Sequence, residues 1–219
     1  MAKYDIVLFD FDGTLVDTSE GVFKSIIYAL NADGKSAPSA ETLRKFIGPP
    51  IYASFKETLG YTDEAKIEWL IKKYRERYSV LGLFEAEFYP GIEELLIKLK
   101  ENGIKTATAS SKPKKFIHKI LDGTGFAKYF DYIGGTDFDQ KESGKTEIIL
   151  GALEYFNCTD KSKAVMVGDR KFDIEGAKSA GVETIAVLYG FGSREEFEEY
   201  EAEYIAENTA DIERTVLGK

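Results

Sequence analysis

The sequence predicts an α/β fold in which a parallel sheet of five strands is covered by helices on both faces, with an all-helical segment inserted after the first strand. Three observations carry this. From residue 86 onward, short apolar runs alternate with amphipathic helical stretches at βαβ spacing. Residues 17–85 hold helical periodicities and no strand. Ile6-Val7-Leu8-Phe9 is a continuous apolar run, the pattern of a strand buried on both faces, and it breaks off into Asp10-Phe11-Asp12-Gly13-Thr14.

The elements follow in order. After Asp17-Thr18-Ser19, any of which caps a helix, apolar residues at Val22, Phe23, Ile26, Ile27 and Leu30 predict the first helix. Ser39-Ala40-Glu41-Thr42 starts a second through Phe46, and Gly48-Pro49-Pro50 forces a loop because proline forbids a helix interior or an inner strand. Helices follow over 51–59 and 62–78, the latter with Ile67, Leu70, Ile71 and Tyr74 on one face. Past Tyr89-Pro90-Gly91, residues 92–100 form an amphipathic helix ended by Asn102-Gly103, and 104–109 a second strand that stops at Ser110. A helix over 113–121, a third strand over 129–133 closed by Gly134-Gly135, and a helix over 146–156 come next. A fourth strand over 164–167, a helix over 173–180 and a fifth strand over 184–188 complete the pattern. The glutamate-rich run 195–203 reads as a solvated helix face. The expected division is a sheet core from 1–16 and 86–219, and a helical domain from 17–85.

Composition narrows the function classes. The 219 residues, 43% hydrophobic and 31% charged, suffice for one core and a smaller second unit. A net charge of -9 argues against a nucleic-acid polymer as partner, and an anionic ligand must be met by gathered lysines or a divalent cation. No apolar run is long enough to span a bilayer, and the one at Ile6 is too short for a secretory leader, so no membrane partner and a cytoplasmic location are expected. Cys158, the single cysteine, excludes an internal disulfide and a cysteine metal site.

Asp10-Phe11-Asp12-Gly13-Thr14-Leu15 resembles the first motif of the haloacid dehalogenase-like hydrolases, in their subgroup of small-molecule phosphatases. At the carboxyl end of a core strand two acids have a chemical use. Asp10 is the candidate nucleophile, since a carboxylate can attack phosphorus to give an acyl phosphate, and Asp12 the general acid and base. Spacing alone leaves these roles exchangeable; the resemblance assigns them. Val165-Met166-Val167-Gly168-Asp169 is a second apolar strand ending in an acid. Asp169 with Asp10 and the backbone carbonyl of Asp12 would form a hard, oxygen-only site suited to magnesium. Asp173 reads equally as a helix N-cap or as a further metal ligand.

Ser110, with the amides of Ser111 and Lys112, is expected at a helix start that favours an anion. Lys145 reads either as a cation for phosphate oxygens or as an exposed lysine at a helix start. Gly144-Lys145-Thr146 is not the end of a nucleotide-binding P-loop, because Asp139 stands where that motif needs glycine. Gly168, Asp169 and Asp173 match the family's metal motif, and Ser110 and Lys145 its second and third motifs. The resemblance therefore implies a Rossmann-like core, a helical cap that selects substrate, with Gly48 of the Gly48-Pro49-Pro50 loop reaching the substrate, and a Mg2+ cofactor. It implies a phosphatase acting on a small phosphomonoester, phosphoglycolate or a nucleoside 5'-monophosphate, as a monomer or homodimer. The alternatives are a non-catalytic phosphoester-binding module and, within the fold, a sugar-phosphate mutase such as β-phosphoglucomutase or a pyrophosphatase. Arg170 and the single histidine, His118, enter no site.

Overall fold

The computed structural model describes residues 2–137 and 144–218. The polar loop before Lys145, with Asp139, lies outside the described residues. The chain divides into two compact units, Met1–Val16 with Phe88–Lys219, and Asp17–Glu87. Two short strands that the sequence did not announce, β2 (Val16–Asp17) and β3 (Glu87–Phe88), form a separate two-stranded sheet where the chain leaves and re-enters the larger unit.

The larger unit is built on β1 (Ile6–Phe9), all of it buried. With β4 (Lys105–Pro113), β5 (Tyr132–Thr136), β6 (Ala164–Gly168), β7 (Glu183–Val187) and β8 (Tyr204–Ala206) it forms a parallel six-stranded sheet in the order β5-β4-β1-β6-β7-β8. Helices α5 (Ile92–Glu101), α6 (Lys114–Thr124), α7 (Lys145–Tyr155), α8 (Lys171–Ala180), α9 (Arg194–Glu199) and α10 (Thr209–Leu217) provide the crossovers and covers. Ile6, Leu8 and Met166 share one core face with Ile149 and Ala152 of α7 and Ala177 of α8. Val7 and Phe9, equally buried, point to the opposite face by the two-residue period of a strand.

Three strands of the larger unit differ from expectation. The second strand does not stop at Ser110 but continues to Pro113, with a register shift between Ala109 and Pro113 against β5. The third strand begins at Tyr132, because Ala127–Tyr129 forms a 3-10 turn, and Gly134 and Gly135 lie inside it. They serve close strand approach: a Cβ on Gly134 would lie 2.5 Å from the Thr108 carbonyl oxygen. The sixth strand comes out of the glutamate-rich region. There α9 ends at Glu199, Phe197 is fully buried, and Glu203 accepts from the Thr184 amide at 2.8 Å, so the run is only partly a solvated face.

The smaller unit contains α1 (Ser19–Ala32), α2 (Ala40–Arg44), α3 (Ile51–Ala53) and α4 (Glu64–Tyr78). Ser39 and Asp63 cap α2 and α4 with their side chains. The expected helix over 51–59 is a single α turn followed by a π turn at Ser54–Thr58. Phe55 of that turn is fully buried edge-on against Phe46, with ring centroids 5.4 Å apart. At the start of α1 the backbone of Gly21 touches the turn Gly82–Phe84: a Cβ on Gly21 would sit 2.0 Å from the Gly82 carbonyl oxygen. Arg77 then clamps Glu85 with two hydrogen bonds, of 2.7 and 2.8 Å. Among the described residues, no helix is long and apolar enough to cross a membrane.

Two predictions concern the smaller unit. Gly21→Ala, although alanine is the better helix former, is expected to lower stability by about 1–3 kcal/mol through overpacking, read as a reduced urea midpoint. The hydrogen bonds from Arg77 hold the Glu85 carboxyl at about 2. Its stabilisation is thus present above the ordinary glutamate value and lost as pH falls from there toward 2. Glu85→Gln should lower thermal stability at pH 7 and flatten its decline between pH 5 and about 2 in a series of melts.

Candidate active site

Asp10 directly follows β1. Its amide still donates to the Val167 carbonyl at 2.8 Å, so the pairing with β6 carries on one residue beyond the strand and fixes the carboxylate at the sheet edge. Asp169 follows β6 in the same manner, and the Phe9↔Val167 register sets the two acids side by side. Asp173 joins them from α8. It is not the N-cap, a place held by Arg170, but the third helical residue, and its Oδ2 accepts from the amides of Asp169 at 3.1 Å and Arg170 at 3.0 Å. It caps the helix while its other oxygen stays in the cluster. One oxygen each of Asp10, Asp169 and Asp173 lies within 4.8 Å of the others, and all three residues are buried.

Lys145, the first residue of α7, is buried rather than exposed. Its Nζ lies 2.9 Å from Asp10 Oδ1 and 2.7 Å from Asp173 Oδ1, and donates to the Ala109 carbonyl at 3.1 Å. Gly176 of α8 makes this possible, since a Cβ there would lie 2.6 Å from Lys145 Cγ. Asp12 is half-buried and its carboxylate stands outside the three-acid cluster, paired with Lys112 Nζ at 2.8 and 3.1 Å.

Ser110 is buried, and its hydroxyl beside Asp10 favours the charged form of that acid. Ser110 and Ser111 lie on β4, and α6 begins only at Lys114, so neither serine stands at the expected helix start. The Ser111 carbonyl accepts from Thr136 Oγ1 at 3.2 Å. Gly48 belongs to the smaller unit, in the loop between α2 and α3, with φ of +102°. Arg170 Nε pairs with Glu196 at 3.1 Å, and His118 is exposed on α6.

Burial raises the pKa of Asp10; the charge of Lys145 opposes the rise and that of Asp173 adds to it. Burial, then the charges of Asp173 and Asp10, push Asp169 well above the ordinary aspartate range. For Lys145 burial works downward, but the two acids outweigh it and hold the ammonium above its ordinary value. Asp10 Oδ1 and Asp173 Oδ1 are buried without an aligned hydrogen bond, although Lys145 lies within ion-pair distance of each. Oxygen-only donors, clustered, buried and short of donors, fit a hard divalent cation.

Sequence reasoning assigned no role to several partners of these acids. Thr14 Oγ1 donates to Asp169 Oδ1 at 3.0 Å and the Phe191 amide to Oδ2 at 2.9 Å. Thr14 and Lys112 adjoin motif residues and could have been found on that ground. Phe191 and Gly176 reach the site through the tertiary fold alone, with no local signal.

Comparison with known proteins agrees with this geometry. Residues 7–187 match the family described as haloacid dehalogenase-like hydrolase. The chain is 37% identical to a 5'-nucleotidase of Pseudomonas aeruginosa over 98% of its own length and 96% of the relative's. It is 32% identical to the tyrosine-protein kinase PtkA of Mycobacterium tuberculosis, over 97% of this chain and 72% of that one. The crystal structure of a predicted phosphatase from Clostridium acetobutylicum superposes with a TM-score of 0.93 at 39% identity, covering 99% of both chains. With its buried acids at the ends of adjacent parallel strands and a match spanning most of its length, this chain belongs to the haloacid dehalogenase-like hydrolases.

Proposed function

We propose that the chain is a magnesium-dependent phosphomonoesterase working through a phosphorylated Asp10. The observation that carries this reading is the meeting of Asp10, Asp169, Asp173 and Lys145 at one buried strand edge, with Asp12 and Ser110 beside them. Asp10 attacks the phosphorus as the bond to the leaving oxygen breaks, and Asp12 gives that oxygen its proton. Water then attacks the acyl phosphate, Asp12 takes a proton from it, and the Asp10 carboxylate is released with the bonding pair. Lys145 offsets negative charge on Asp10 and on the phosphoryl oxygens, and the Ser110 hydroxyl donates to the latter. Asp10, Asp169 and Asp173 would hold the metal, with the Asp12 carbonyl as a further oxygen. Magnesium there would supply charge stabilisation for the transferring group.

The two relatives, by name a nucleotidase and a protein kinase, have phosphoryl transfer in common and differ in what receives or releases the group. The nucleotidase, similar over nearly the whole chain, supports a nucleoside 5'-monophosphate as substrate, with phosphoglycolate second. The smaller unit, inserted in the chain soon after Asp12, is proposed as the substrate-selecting cap, Gly48 included. The setting proposed is the cytoplasm, as a monomer or homodimer.

The test is hydrolysis of a phosphomonoester panel with magnesium and with chelator. Turnover should vanish with chelator and return with Mg2+, and Asp10→Asn should lose about 10³-fold or more in kcat; activity unchanged in that variant sinks the nucleophile assignment. Gly176→Ala, which displaces Lys145, is expected to lower kcat roughly 10- to 100-fold while the circular dichroism spectrum stays native.

A further inference from the structure

We propose that the segment Tyr189-Gly190-Phe191-Gly192, which follows β7, is a positioning element for metal binding: it locks the carboxylate of Asp169 in one orientation, and Tyr189 acts there through Thr14. The inference rests on the function proposed above, deepens it at Asp169, and gives a task to residues that reading leaves without one.

β7 lies beside β6 in the sheet, with Ala186 opposite Gly168, so the chain leaving β7 emerges next to Asp169. The Leu188 amide still donates to the Ala206 carbonyl at 2.9 Å, and beyond it the chain bends toward the end of β6. There the Phe191 amide donates to Asp169 Oδ2 at 2.9 Å, while Thr14 Oγ1 donates to Oδ1 at 3.0 Å. Each oxygen is thus held by a donor from a different segment, so turning the carboxylate plane away breaks both bonds together. Asp169 is fully buried, and a hydrogen bond lost there finds no water to replace it.

Packing removes the remaining freedom. A Cβ on Gly190 would stand 2.4 Å from Asp169 Cβ and 2.4 Å from the Gly13 carbonyl oxygen, and one on Gly192 would stand 2.2 Å from the Asp169 carbonyl oxygen. The backbone of the segment therefore runs in direct contact with the acid and with the turn after β1. The Tyr189 hydroxyl donates to the Thr14 carbonyl at 3.0 Å, and its ring packs against Tyr89 with centroids 4.9 Å apart. That bond fixes the backbone of the residue whose hydroxyl holds Oδ1. The far end is tied down as well. Ser193 caps α9, and Glu196 of α9 accepts from the Lys171 amide at 2.6 Å and pairs with Arg170 Nε at 3.1 Å. The segment is fastened in this way to the two residues that follow Asp169.

A ligand oxygen held in place before a cation arrives binds it more tightly than one that must be ordered on binding, and hydrogen bonds to the carboxylate supply that order. Convergence separates this role from plain packing. Each of the residues from Tyr189 to Gly192 meets Asp169 or the turn that holds it, and each does so by a different contact.

The experiment is titration of the purified protein with Mn2+, a cation that accepts the same oxygen donors, followed without substrate by the EPR signal of the free ion. Tyr189→Phe, which removes one hydroxyl, should raise Kd about 3- to 10-fold, and Gly190→Ala about 10- to 100-fold. A double-mutant cycle reads the path through Thr14: Thr14→Val should weaken binding about 10-fold, and adding Tyr189→Phe to it should change Kd by less than about twofold. In turnover of a phosphomonoester, Tyr189→Phe should need more Mg2+ for half-maximal rate in proportion to its Kd, with KM for the ester unchanged once Mg2+ saturates. A Kd within about twofold of wild type in Tyr189→Phe, or the same loss from Tyr189→Phe with and without Thr14→Val, overturns the proposal and leaves the segment as packing. If Gly190→Ala fails to fold, the cycle of Tyr189→Phe and Thr14→Val decides alone. A wild type that binds no Mn2+, or an Asp169→Asn variant that binds it as tightly as wild type, overturns the metal reading instead, and both are measured first.

Discussion

Three carboxylates packed together at the ends of two neighbouring parallel strands are the constraint on which the larger unit depends. A buried carboxylate without partners costs several kcal/mol even after relaxation, so each must be answered. Asp173 is answered by the amides that open α8, and Asp169 by Thr14 and the Phe191 amide. Asp10 is answered by Ser110 and Lys145. The answer is incomplete. Among the described residues, Asp10 Oδ1 and Asp173 Oδ1 still lack an aligned donor, a setting that a hard divalent cation fits.

Space is arranged as closely as charge. Gly13 turns the chain with φ of +87°, and a Cβ there would stand 2.2 Å from Asp169 Oδ2. Any side chain at this point would press on the acid, so the turn that delivers Asp12 also leaves room for Asp169. The turn after β1 and the acid after β6 are thereby fitted to each other at contact distance, although they lie far apart in sequence.

This coupling explains what could be read in the sequence and what could not. The α/β class, β1 and the acids after it were legible because an apolar run ending in charge is a local pattern. Asp173 was ambiguous for a physical reason: one oxygen caps α8 and the other joins the cluster, so neither reading excludes the other. The end of β4 was misread because Ser110-Ser111-Lys112-Pro113 has the composition of a turn, and its extended form depends on β5 beside it. The last strand was hidden because an edge strand of Tyr204–Ala206 is too short for alternation to show, and glutamates dominate the residues before it. Lys145 stayed open between a cation for phosphate oxygens and an exposed lysine because its burial depends on Gly176, a position on another helix.

The same arrangement bears on how an acidic protein can take an anionic ligand. With a net charge of -9, long-range attraction does not bring a phosphate ester toward the chain, and recognition must be confined to the site. Lys112 and Lys145 are shielded from water, so salt screens them far less than it would exposed lysines. Their charge is already engaged by aspartates in the free protein. On the proposed function, an incoming phosphoryl group would compete with Asp10 and Asp173 for the Lys145 ammonium. Selection by position rather than by bulk charge follows, and the acids that lower the gain from binding are those whose chemistry the bound group meets.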